Sequence, residues 1–186
     1  MSGGHGHVDT QNKKIALLVA LLAALLAISE MAGKSSQTHG LSDHIDASNL
    51  WSFFQAKTIR QTTMRTAAEG AEAQFKDNPA TMPPALKAQA EQWRRTAQRY
   101  ESEPETNEGR KELIARAKAK EAHRDRSLAA YHMFEYGSAC FQLAIVLAGA
   151  AALTAVAWLT FVSFGLGAVG IGFTLLGFLA PNLLHI

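Results

Sequence analysis

The chain has a single cysteine, Cys140, and after Glu135 it has no Asp, Glu, Lys or Arg in the remaining 51 residues. One thiol excludes an intramolecular disulfide and a cysteine-based zinc site within one chain. The charge-free run excludes an ordinary soluble fold. It would need a large soluble domain to bury it, and too little other apolar sequence is present to wrap it. Charges nearly balance at a formal +2, with no block of about five like charges, so nucleic acid is not an expected partner. A P-loop, a dinucleotide fingerprint, Ser-x-x-Lys, HExxH and a paired-carboxylate constellation are all missing. The motifs therefore point to no enzyme and no cofactor.

What is present is segregation. The averages, 48% hydrophobic and 18% charged, resemble a globular protein, yet 16 of the 18 Lys and Arg lie between Lys34 and Arg126. A Leu/Ala-rich segment precedes them and a long apolar block follows. A helix needs about 20 mostly apolar residues to cross a hydrocarbon core about 30 Å thick, and both ends supply that. The expected fold class is an all-α membrane protein with three transmembrane helices, one N-terminal and two in a C-terminal hairpin, around a central helical-hairpin or coiled-coil module.

Along the chain, residues 1–14 read as a disordered Gly/His-rich tail. His5, His7 and Asp9 form a weak metal tract without fixed geometry, and His39 and His44 are no better placed, so no metal site is expected. Residues 15–33 read as the first span, retained rather than cleaved because the small-x-small cleavage pattern is poor. Gly33 to Gly40 reads as a break. An extramembrane module of residues 34–136 follows, with helices at about 41–77, 85–102 and 108–136. Asn78-Pro79, Pro83-Pro84 and Pro104 separate them, since Pro lacks the amide donor and disfavours helix at the preceding residue.

In the first of these helices Leu50, Phe53, Lys57, Arg60, Met64, Ala67 and Ala71 recur at steps of three and four. In the second, Leu86, Ala90, Trp93, Ala97 and Tyr100 do the same, and in the third Ile114, Ala117, Leu128 and Tyr131 share a face. Alanine-rich seams bury little area per residue, so a homo-oligomer is the expected partner state, along with membrane lipids. The C-terminal block divides into spans at 138–160 and 165–185, with a linker around Phe161 to Phe164.

Lys13 and Lys14 flank one end of the first span, whereas Lys34, Lys118, Lys120, Arg124 and Arg126 lie on the central side. That balance favours a cytoplasmic central module. Glu30 is the candidate intramembrane polar residue, either lining a pathway for protons or cations or pairing with Lys34 at i+4. Trp51, Phe53, Phe54, Lys57 and Arg60 are candidates for a lipid-interface face, with aromatics at headgroup level and cations on phosphates. The alternative is packing against neighbouring helices. Ala148 and Ala152, and Ala168 and Gly172, make small-xxx-small steps that suit close helix packing, within the hairpin or between copies.

The segments ISEMAGKS (Ile28 to Ser35) and ASNLWSFFQAKTIRQT (Ala47 to Thr62), a helical middle and a C-terminal apolar hairpin resemble a family of small bacterial integral membrane proteins known only as a domain of unknown function. The resemblance implies a bacterial inner-membrane location and a three-span layout, and transfers no site residues. The expected role is a homo-oligomeric scaffold or assembly protein. The alternatives are a channel or transport component with Glu30 near the pathway, and a regulatory subunit of a larger membrane complex.

Overall fold

Four α-helices carry the described residues: α1 (Thr10–Ala73), α2 (Pro84–Glu101), α3 (Arg110–Thr154) and α4 (Ala157–Leu179). The computed structural model describes residues 10–154 and 156–183, with side chains from residue 13. Among the described residues there is no strand, and short 3-10 turns at Pro79–Thr81 and Pro181–Leu183 complete the elements. Helices α1, α3 and α4 are each long and apolar enough to cross a membrane. Two compact units result: Met1–Leu41 with Arg124–Ile186, and Ser42–His123. We call them the apolar and the polar unit.

The break expected at Gly33 to Gly40 does not occur, because α1 runs through it for 64 residues. Glycine costs a helix only about 1 kcal/mol, no Pro removes a backbone donor, and tertiary packing favours continuity. A Cβ on Gly33 would lie 3.3 Å from the Phe134 Cβ, and one on Gly40 3.1 Å from Leu128 Cδ2. These glycines are where α1 and α3 come close within the apolar unit. Likewise α3 passes through Gly137 without interruption.

Two more boundaries differ. The tail expected over residues 1–14 is helical from Thr10, and residues 1–9, with His5, His7 and Asp9, lie outside the described residues. The C-terminal turn falls between Thr154 and Ala157 rather than at Phe161 to Phe164, which lie inside α4. No Pro or charge marks that turn. Its register is set by packing: the buried Ser163 hydroxyl donates to the Ala144 carbonyl at 2.8 Å. Helix α4 ends before Pro181, where the Ala180 amide bonds the Leu176 carbonyl at 2.9 Å.

The core of the apolar unit joins Ile15, Leu18 and Leu22 of α1 to Phe141, Ala144, Ala148 and Ala151 of α3. Helix α4 presents Ser163, Gly167, Gly170 and Gly177 as its buried residues. Their spacing of four, three and seven is one face of a helix, and their small size lets the backbones approach. A Cβ on Gly167 would meet Leu22 Cδ2 at 2.8 Å, and one on Gly177 would meet the Phe134 ring at 2.8 Å.

In the polar unit α2 packs on α1 through Ala68, Ala71 and Ala90, flanked by Met82, Leu86 and Trp93. The expected α2 face is the one that packs: Ala90 and Ala97 are buried while Leu86, Trp93 and Tyr100 are half-buried. The expected α1 face also packs, with Lys57 and Ala71 buried and Leu50, Phe53, Met64 and Ala67 half-buried, except at one position. Gln61 and Ala68 are buried, and Arg60 is exposed.

Candidate functional site

The most connected chemistry of the polar unit surrounds the two α1 residues Lys57 and Gln61. Lys57 is 5% exposed and pairs with Glu103 at 3.3 Å and with Glu108 at 3.8 Å. Its ammonium also sits 5.5 Å from the Phe53 ring centre and 5.1 Å from that of Tyr100. A buried cation requires such compensation. Gln61 donates to the Ala97 carbonyl at 3.1 Å and to Glu101 at 2.9 Å, and accepts from Arg110 at 2.6 Å. Arg110 also bonds Glu101 at 2.6 Å and the Thr58 hydroxyl at 2.9 Å. The Gln61 hydrogen bond, with Arg110 beside it, holds the Glu101 carboxyl below the usual carboxylate range.

The loop between α2 and α3 closes this network. Glu112 accepts from the Ser102 hydroxyl at 2.6 Å and from the Glu103 amide at 3.2 Å, which lowers its pKa. Gly109 precedes α3 where a Cβ would lie 2.4 Å from the Glu103 nitrogen; only glycine fits there. Farther along, Lys120 reaches both Asp43 and Asp46 at 2.9 Å, and these hydrogen bonds push its pKa up to about 12.

These contacts decide where the candidate lipid-interface residues stand. Trp51 donates to Glu121 at 2.9 Å and packs edge-on against Phe54 at 5.7 Å. Arg110 lies 5.1 Å from the Phe54 ring centre, and Phe53 flanks Lys57. Four of the five residues are thus engaged inside the polar unit, and Arg60 alone is exposed. The arrangement is a structural ion-pair and hydrogen-bond network. It holds no aligned nucleophile and base, and the described residues contain no cluster of three or more His, Cys, Asp or Glu able to hold a metal.

A different site lies in the apolar unit, where the apolar run of α1 gives way to polar residues. Here α1 and α3 border a groove of about 510 Å³, lined by Glu30, Lys34 and Gln37 from α1 and Tyr131, Glu135, Ser138 and Gln142 from α3, over Gly33 and Phe134. Glu30 is exposed and accepts from Gln142 at 3.2 Å; its partner is therefore an amide on α3 and not Lys34. Glu135 accepts from the Tyr131 hydroxyl at 3.3 Å and stands 3.6 Å from His132. Lys34 forms no ion pair among the described residues. Ser138, only 8% exposed, has no hydrogen-bond partner for its hydroxyl among them either.

Deeper in the unit the polar side chains are consumed in holding helices together. The Ser29 hydroxyl donates to the Phe134 carbonyl at 2.9 Å and lies 3.3 Å from that of Thr174, which bonds the Gly170 carbonyl at 2.8 Å. Every fully enclosed side-chain nitrogen or oxygen among the described residues is paired. Of the candidate packing residues, Ala148 is buried and Ala152 half-buried in this core. Ala168 and Gly172 are exposed, with nothing within 4 Å of a Cβ on Gly172, so they do not pack within the chain. The residues that do, Ser163, Gly167, Gly170, Thr174 and Gly177, carry a signal of their own in alternating steps of four and three.

No curated protein and no solved structure matches this chain. A family model matches residues 11–180, which span both units and both sites, and the chain belongs to that family, described as Domain of unknown function (DUF4337).

Proposed function

We infer that this is an integral membrane protein of the bacterial inner membrane, acting as a homo-oligomeric scaffold with its polar unit in the cytoplasm. The observation that carries the membrane reading is the apolar surface left outside the helix packing. Leu17 is 72% exposed, Leu153 90%, Phe161 77% and Leu179 78%, all on helices of spanning length. Soluble monomers rarely leave patches of that extent uncovered, and a bilayer covers them.

The scaffold reading draws on what the polar groups do. Ser29, Ser163 and Thr174 are spent on interhelical or local hydrogen bonds. Thr154 bonds back to Ala150 within its own helix. A conducting path needs polar groups along the full depth of the bilayer, and these are committed elsewhere. Glu30 and Gln142 engage each other on an outward flank, which gives the channel alternative little support. The exposed small residues Gly165, Ala168 and Gly172 leave a shallow face on α4 for a second copy.

Crosslinking and native mass spectrometry in mild detergent test the assembly. An oligomer that Ala168→Leu and Gly172→Leu shift to monomer is expected. A monomer at every concentration, with the helices intact, would overturn it. Sidedness is read from protease access to the exposed 78–84 loop in oriented vesicles.

A further inference from the structure

We propose that the groove between α1 and α3 is a binding site for the headgroup of a zwitterionic aminophospholipid such as phosphatidylethanolamine. The inference rests on the membrane reading above and is independent of oligomeric state. Three observations carry it. The groove, about 510 Å³, exceeds what a phosphoethanolamine group fills and leaves room for the glycerol. It combines an unpaired ammonium, Lys34, with two carboxylates, Glu30 and Glu135. It is also lined by Ser138, a residue only 8% exposed whose hydroxyl is open to the groove and has no hydrogen-bond partner among the described residues. A serine inside a helix can bond back to its own backbone, as Ser52 does to the Ser48 carbonyl at 3.0 Å, and Ser138 does not.

The phosphate accepts from Lys34 and Ser138, and the headgroup ammonium donates to Glu135 and Glu30. Two carboxylates against one lysine disfavour an anionic headgroup, which would bring a net negative charge to a site already negative. A choline is disfavoured too: it has no N–H to give a carboxylate, and its usual recognition is a cage of aromatic faces, where this groove offers Tyr131 beside the buried Phe134. Below the headgroup, one and two helical turns from Glu30 and Gln142 toward the apolar end, stand Leu26, Ala23, Ile145 and Gly149. Leu26 and Ile145 are half-buried, and a Cβ on Gly149 would meet nothing within 4 Å. The acyl chain runs along these residues.

The test uses the full chain in nanodiscs with equal parts of phosphatidylethanolamine, phosphatidylglycerol and phosphatidylcholine, followed by native mass spectrometry of the retained lipid. Retained phosphatidylethanolamine should exceed each of the others. Ser138→Ala and Lys34→Gln should each reduce that excess about tenfold, the effect of one charge-assisted hydrogen bond. Ser138→Ala removes no hydrogen bond among the described residues, so its melting temperature should match the parent's; a merely structural serine would show the opposite pattern. Equal retention of the three lipids, enrichment of phosphatidylglycerol, or an excess that survives both substitutions would each overturn the proposal. A protein stripped from vesicles by alkaline carbonate would overturn the membrane reading, and the lipid site with it, before any headgroup is compared.

Discussion

Gly137 of α3 and Gly170 of α4 face each other reciprocally: a Cβ built on either would lie 3.1 Å from the carbonyl oxygen of the other. Backbone lies against backbone there, so neither side has a flexible atom to withdraw. The Cβ of Gly137 would also approach the Thr174 hydroxyl at 2.6 Å, and that of Gly170 the Phe141 ring at 2.8 Å.

Gly170→Val should therefore lower the melting temperature of the detergent-solubilised protein, at a cost of about 1–3 kcal/mol for overpacking. Gly172→Val, two residues on and facing open space, should leave the monomer's melting temperature unchanged and act only on association. Thermal scans paired with sizing of each species check both halves. Equal destabilisation by the two would refute the assigned α4 face.

Ser29→Ala removes one interhelical hydrogen bond, worth about 0.6–1.7 kcal/mol between apolar helices. Ser29→Leu must in addition displace the Thr174 side chain and should cost considerably more. Denaturant titration followed by circular dichroism separates the two, and similar losses would mean that the hydroxyl contributes little.

Within the polar unit, Lys57→Ala leaves Glu103 with only the exposed Arg99 at 3.7 Å and should destabilise the unit by about 1–3 kcal/mol. Arg60→Ala, three residues on and exposed, should change stability by less than about 0.5 kcal/mol. Chemical unfolding of the two variants side by side reads the difference.

Acid should loosen this same network. Glu101 and Glu112 are held below their ordinary value of 4.5 in the folded chain. Their contribution is therefore fully present above that value and is lost as pH falls through the lowered folded values. Glu101→Gln should flatten the acid limb of the stability profile in melts taken from neutrality down to about pH 3. An unchanged acid limb would mean that other carboxylates set it.

The helical class and the three apolar helices are legible because charge segregation survives any folding. The packing face of α2 is legible for a similar reason: Leu86, Ala90, Trp93, Ala97 and Tyr100 carry the period in side-chain type alone. The α1 face is legible except at its middle, since Gln61 is polar and Arg60 equally so. Ala97, Glu101 and Arg110, between 36 and 49 residues away, make Gln61 the inward one. Continuity through Gly33 and Gly40 is hidden in the same way, because a glycine that admits a neighbouring helix and one that ends its own look identical in a linear sequence. Glu30 stood out as a charge at the end of an apolar run, whereas Ser138 carries no local mark. Its importance rests on what α1 places around it.

The Ser29 contacts also set a schedule. Its partners lie 105 and 145 residues downstream, and ribosomes add about 5–20 residues per second. For something like 5–20 s after Ser29 is made, the first helix waits with that hydroxyl unanswered until Phe134 is synthesised, and Thr174 comes later still. A nascent chain of this kind is an open seam during biogenesis, and the order of synthesis makes α4, made after α1 and α3, the one that closes it.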